Sequence, residues 1–265
     1  FAMAQAGYDV IDINFGCPVR KVLGRCRGGF LLSQPHAALE IIRRVYDAVG
    51  RTHPVTVKMR RGMDDGPEAE GNFFRILDGA FDIGVAAVTV HGRTVEQRYV
   101  GPSQWSFLTR VKRHVGDRAI LGSGDLFSAE ACVKMMQETG VDGVTIARGC
   151  IGNPWIFQEC RALWNGDDLP PPPSIEQQRR AVETHWADSV ETYGPQVAGK
   201  IMRKFGIKYA EHHPLSRQVR DAFIAVKTPD EFTGVLDVWY DPAASWPPVT
   251  RREGHGDLIA AGATI

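Results

Sequence analysis

Asn14-Phe15-Gly16-Cys17-Pro18 follows an apolar, β-branched run directly, and its residue types suit a reactive loop. Gly16 admits an unusual backbone turn and Pro18 stiffens it, which projects Cys17 from the strand end. A thiol so placed is a nucleophile, a general acid or a buried spectator. Cys26, in Gly24-Arg25-Cys26-Arg27-Gly28-Gly29, is its rival, since neighbouring cations favour a thiolate. Lys58-Met59-Arg60-Arg61 and His91-Gly92-Arg93-Thr94 close two more such runs. Lys58 either snorkels at an edge or points into a polar pocket. His91 is either a hydrogen-bonded core histidine or a partner for an anion or a ring. Gly122-Ser123-Gly124-Asp125 and Ala147-Arg148-Gly149 end two later runs, and their glycines let backbone N–H groups approach a phosphate. Tight turns use the same residues; two clusters at consecutive strand ends favour a phosphorylated cofactor, with Arg148 adding a charged donor.

These residues need a scaffold that gathers strand ends. Five β-branched runs recur, at Val10–Ile13, Val55–Lys58, Ala87–Val90, Ala119–Gly122 and Gly143–Ile146. Helical patterns separate them: Ala38, Ile41, Ile42, Val45 and Val49 after the first, then Phe73, Phe74, Leu77 and Phe81 up to Gly84. Strand–helix alternation of this kind implies a parallel α/β fold. A doubly wound sheet would carry GxGxxG after its first strand, and none follows Ile13. Chemistry-bearing residues at every strand end instead predict a (β/α)8 TIM barrel. A barrel closes with eight strands, so about three N-terminal units are expected upstream of Phe1. An open half-barrel is the alternative.

The chain has 265 residues, with Lys+Arg and Asp+Glu equal at 31 each, so no global field advertises a polyanionic partner. Five cysteines without CxxC spacing argue against a disulfide framework or a zinc site and for a reduced, cytoplasmic protein. No apolar run approaches the roughly 18 residues of a membrane helix. Residues 1–166 are read as the partial barrel, and 167–173, ending in four prolines, as a stiff linker. A helical module over 174–232 opens on a Ser174/Gln177 capping box and carries nine Lys/Arg against six Asp/Glu between Ile175 and Lys227. Residues 233–265 read as an irregular tail.

Taken in order, the motifs resemble the tRNA-dihydrouridine synthase family. The resemblance rests on Ile11–Pro18 with Lys21-Val22, Gly28–Leu32, Val57–Arg60, and Val90–Thr94 running on through Gln97, Tyr99, Gly101 and Trp105. Gly124-Asp125 and Ala147-Arg148-Gly149 through Gly152-Asn153-Pro154-Trp155 complete it. It implies FMN at the strand ends, NADPH as reductant, and a monomeric, metal-free and membrane-free protein acting on tRNA. Lys58 and His91 then look like flavin-site residues, and Ser123, Gly124, Asp125, Ala147 and Arg148 like the phosphate cradle. Asn14 would orient the uracil, with Arg60 and Arg93 also on the substrate and Cys17 as general acid. Arg203 and Lys204 of the helical module would grip RNA phosphates. Three departures stand out: Ser123 where Asn is usual, Ala147 where Gly is usual, and Phe205 where His is common. Reducing the uracil C5–C6 bond needs a hydride at one carbon and a proton at the other, which a flavin and a thiol supply between them. A uridine stacked in folded RNA must be flipped out to reach a barrel mouth. Two readings compete: a flavin dehydrogenase of a free pyrimidine, of the dihydroorotate type, and a truncated RNA-binding fragment without catalysis.

Overall fold

A computed structural model describes residues 2–251, which form two compact units. The first covers the chain to Leu126 together with Ala131–Ile146. It begins with a one-turn helix α1 (Ala2–Gln5), followed by β1 (Ile11–Phe15), another one-turn helix α2 (Arg20–Leu23) and a 3-10 turn at Gly28–Ser33. Then come α3 (Pro35–Val49), β2 (Val55–Arg60), α4 (Pro67–Ile83), β3 (Ala87–His91), α5 (Trp105–Val115), β4 (Ala119–Ser123), α6 (Ala129–Thr139) and β5 (Gly143–Val144).

All four strand pairings are parallel, and the spatial order equals the chain order, β1-β2-β3-β4-β5. That sequential order is the one a barrel uses, with no switch point of a doubly wound sheet. β3 is buried at four of five positions because helices must cover a parallel sheet. α4 shows how: Phe73, Ile76, Leu77 and Ala80 recur at helical spacing with no exposed area. Phe73 meets Phe107 of α5 edge-on, ring centroids 4.9 Å apart. Gly84 then ends the helix in the left-handed conformation, its N–H reaching back to Ala80 and Phe81. Parallel register aligns the strand ends, pairing Phe15 with Met59, Arg60 with His91 and His91 with Ser123.

All five strand readings shift at an end: β2, β3 and β4 run one or two residues further than read, and β1 and β5 change more. β1 runs from Ile11 to Phe15, because Val10 is exposed while Phe15 is buried at 2%. β5 is only two residues long, although Thr145 N–H still bonds the Gly122 carbonyl at 2.8 Å.

The second unit holds Phe127–Glu130 and the chain from Ala147. Its helices are α7 (Ile156–Asn165), α8 (Ile175–Tyr193), α9 (Pro195–Tyr209), α10 (Ser216–Ala225) and α11 (Pro229–Trp239). Val182, Met202, Val219, Phe223, Phe232, Leu236 and Tyr240 form its core. The capping box is made in full: Ser174 Oγ accepts from Gln177 N–H, and Gln177 Oε1 accepts from Ser174 N–H. Trp155 packs on this helical core, so the unit begins ahead of the boundary expected at the prolines. The tail read from residue 233 is helical to Trp239, and Trp246 and Val249 pack on the same core. Its apolar positions Phe232, Val235 and Leu236 lie three and four apart, one buried stripe that proline and glycine further on had obscured. The last part of that tail, residues 252–265, lies outside the described residues. Among the described residues no helix is long and apolar enough to cross a membrane.

Candidate active site

β1 delivers its cargo through local bonds. Asn14 Oδ1 accepts from Gly16 N–H at 2.8 Å, an Asx turn that bends the chain as it leaves the strand. Cys17 is half-buried, and its carbonyl accepts from Gly29 N–H at 3.0 Å. Gly28 has φ +58°, and a Cβ there would lie 2.9 Å from Cys17 Cβ; one on Gly29 would lie 2.7 Å from Val95 Cγ2. The glycine pair therefore lets the loop close on Cys17. Gly28→Ala should cost about 1–2 kcal/mol from the left-handed backbone alone, read as a lower denaturation midpoint, and should change the alkylation rate of Cys17. Cys26, by contrast, is exposed, at φ 54°.

Lys58 comes up beside Cys17 from β2. A Cβ on Gly16 would sit 3.5 Å from Lys58 Nζ and 3.6 Å from Asn14 Oδ1, so the ammonium and the amide flank this glycine. Burial lowers the lysine's pKa, and the neighbouring Arg60 lowers it further, while Asp12 and Cys17 pull it back up.

Arg60 and Arg93, expected on the substrate, also brace the loops around the strand ends. Arg60 is 3% exposed. Its Nε donates to the Gly16 carbonyl at 3.0 Å, and its Nη1 to Thr94 at 2.8 Å and Arg98 at 2.7 Å. It thus ties the end of β1 to the loop after β3. Arg93 is 1% exposed: Nε donates to the Gly101 carbonyl at 2.8 Å, and Nη2 meets both Asp125 oxygens at 2.7–2.8 Å. Asp125 Oδ2 also accepts from Ser103 N–H at 2.8 Å. The Asp125 side chain is thereby tied to the loop after β3, which leaves the backbone N–H groups of its turn as the part that could approach a phosphate. Carbonyls and a carboxylate offset the burial of both guanidiniums, although Arg93 Nη1 is buried without a hydrogen-bond partner among the described residues.

His91 Nδ1 accepts from Arg93 N–H at 3.1 Å, so a neutral ring carries its proton on Nε2. A Cβ on Gly124, at φ +117°, would lie 3.3 Å from that Nε2 and 2.3 Å from Ser103 Oγ. Ser123 is buried and its Oγ donates to the Thr145 carbonyl at 3.2 Å, so the hydroxyl helps bind β4 to the start of the next loop. The strand ends of the first unit thus gather Asn14, Cys17 and Lys58 at one place and His91, Gly124 and Asp125 at another. The remaining expected site residues belong to the second unit. Arg148 stacks over the Phe127 ring at 5.1 Å, Ala147 accepts from Cys150, and Arg203 and Lys204 are exposed on α9. Ser103 carried no sequence signal, and Gln97, which accepts from Arg61 and from Thr94 N–H, was read only as part of a motif.

The family model for dihydrouridine synthase (Dus) matches residues 1–243. The chain belongs to the dihydrouridine synthase family. That family's fold is the TIM barrel, which the parallel βα units follow in part before the helical region. Relatives include the probable tRNA-dihydrouridine synthase of Mycobacterium tuberculosis, 37% identical over 230 residues, 86% of this chain and 58% of that protein. That of Rickettsia prowazekii is 34% identical over 223 residues, 84% and 66% of the two chains. tRNA-dihydrouridine synthase B of Xanthomonas axonopodis pv. citri is 32% identical over 242 residues, 91% and 71%. This member of the family therefore spans under two thirds of the length of its mycobacterial relatives.

Proposed function

We propose that the chain serves an FMN-dependent reduction of the C5–C6 bond of uridines in tRNA, with NADPH as reductant and Cys17 as proton donor. The observation that carries this reading is the presentation of Cys17 at the end of β1, beside Asn14 and Lys58, by a loop that closes on it through glycine.

The donor chemistry fits a flavin. Lys58 Nζ and the Nε2–H of a neutral His91 are donors at adjacent strand ends, suited to the carbonyl and nitrogen edge of an isoalloxazine ring. The backbone N–H groups of the Gly124 turn would serve its phosphate; the family resemblance assigns Arg148 a charged contact to the cofactor. FMN, when bound, supplies the hydride. The protein's own residues then have two tasks. Asn14 hydrogen-bonds the uracil and holds its plane, and Cys17 Sγ holds a proton for the carbon that the hydride does not attack. Arg60 and Arg93 fix the loops around both, and the buried Nη1 of Arg93, without a hydrogen-bond partner among the described residues, is the donor left to face the substrate. On RNA, Arg203 and Lys204 grip phosphates while the target uridine swings out of its stack.

The test is the chain's activity on unmodified tRNA against free uridine, with tRNA expected as the far better substrate; equal reduction of free uridine would favour a small-molecule dehydrogenase. Arg148→Ala should weaken FMN retention by about 1–3 kcal/mol, the worth of a charged hydrogen bond, measured by flavin fluorescence titration. Unchanged affinity would remove Arg148 from the phosphate site.

A further inference from the structure

The second unit contains a cavity of about 480 Å³ that the proposed reduction does not use. One wall is a stripe of α8, where Gln177, Thr184 and Asp188 follow one another at helical spacing around His185; the other holds Tyr209 of α9 and Trp155. Trp155 belongs to Gly152-Asn153-Pro154-Trp155, a motif left without a role by the strand-end chemistry. Gly152 fixes that segment. At φ +74° a Cβ there would lie 2.6 Å from the Lys208 carbonyl carbon and 2.8 Å from Tyr209 N, so only glycine lets it seat this closely on α9.

The wall chemistry is aromatic, with one cation and one anion that cancel in formal charge. His185 Nδ1 lies 3.3 Å from Tyr209 Oη, and its ring packs on Phe205 at 4.6 Å. Burial lowers the pKa of His185 and raises that of Tyr209, which keeps both neutral at physiological pH. The formal charges around the cavity are Arg180 and Asp188, one of each sign, and Arg180 already pairs with Glu176 at 2.7 Å. An anion finds no net attraction there. A flat ring with donors and acceptors on its edge does: aromatic faces to stack on, the Gln177 amide, and the Thr184 Oγ1 as acceptor, its proton being donated to the Arg180 carbonyl at 2.9 Å. Gln177 Oε1 is spent on the capping box, so its NH2 is the group it can offer.

We propose that this cavity receives one unstacked nucleobase of the RNA, a nucleotide other than the uridine to be reduced; the proposal rests on tRNA being the substrate. The charge pattern of α9, which packs along α8, favours a nucleic acid. Lys200 and Lys204 stand one turn apart beside the Phe205–Tyr209 stripe, with Arg203 next to them; all three are exposed, and among the described residues none is in an ion pair. A cationic row flanking aromatic walls is the arrangement single-stranded nucleic acids use, phosphates outside and a base stacked within.

The experiment compares unmodified tRNA binding by the full chain and by Thr184→Trp, which fills the cavity from an exposed helix position. The variant should bind about tenfold more weakly, the loss of one base–aromatic stack, with its melting temperature and the salt slope of binding unchanged because no phosphate contact is lost. With 4-thiouridine-substituted tRNA, irradiation should yield adducts on peptides containing Trp155 or Tyr209. Wild-type affinity in Thr184→Trp, a reduced salt slope, or adducts confined to other peptides would overturn the nucleobase pocket alone. Failure of the wild-type chain to bind tRNA would overturn the tRNA reading and the pocket together.

Discussion

Cys17→Ala should lower dihydrouridine formation by about two to four orders of magnitude, the usual worth of a positioned general acid, while flavin binding and tRNA affinity stay at wild-type levels. In the proposed mechanism the thiol acts only when the ring accepts its proton, so its loss should fall on the rate of reduction and leave the binding constants in place. Its backbone is held from both sides, by the Asn14–Gly16 turn before it and by Gly29 N–H on its carbonyl. Alanine keeps those bonds, so the loop survives the substitution. Cys26→Ala is the matched control: that thiol is exposed, on a left-handed residue of the loop, and its removal should leave the rate near wild type. Single-turnover measurements of flavin oxidation in the presence of tRNA separate the two variants. A fast Cys17→Ala with a slow Cys26→Ala would transfer the acid's role to the second thiol.

Arg93→Ala should destabilise the first unit by about 3–5 kcal/mol, the cost of breaking a buried ion pair and stranding its partner. Arg93 is 1% exposed and Asp125 24%, with the closest contact at 2.7 Å. Without the guanidinium, the Asp125 carboxylate keeps only the Ser103 N–H among the bonds described above, and the Gly101 carbonyl loses its donor. Both sit in loops that follow adjacent strands, so the damage reaches the strand-end geometry directly. The expected drop in melting temperature is about 10 °C, and Arg93→Lys should recover only part of it, since an ammonium cannot make the forked contact. A variant that melts like the wild type would show that the Arg93–Asp125 pair does not hold these loops.

The legible part of the architecture was the part that periodicity encodes. Val55, Val57 and Met59 alternate along β2, and Phe73, Ile76, Leu77 and Ala80 recur along α4, so strand and helix could be placed from spacing alone. The gathering of Asn14, Cys17 and Lys58 followed too, because parallel strands in chain order bring their ends together. The roles of the arginines were not legible. A strand-end arginine looks the same whether it faces a ligand or a carbonyl, and the partners of Arg93 lie eight and 32 residues away, in loops without periodicity. The carboxylate of Asp125 was equally illegible: the Gly-Asp turn was read for its backbone N–H groups, and its side chain pairs with Arg93. α11 was missed because Pro, Gly and Trp around it resemble loop composition, although Phe232, Val235 and Leu236 carry the stripe that buries it.

The central claim is that this chain reduces uridine within tRNA by flavin chemistry. Its most direct test incubates the 265-residue chain with FMN, NADPH and unmodified tRNA, then digests the RNA to nucleosides for mass spectrometry. The expected result is dihydrouridine at defined positions, two hydrogens heavier than uridine, dependent on flavin and lost in Cys17→Ala. Absence of dihydrouridine from the wild-type reaction under conditions where FMN is bound would contradict the account.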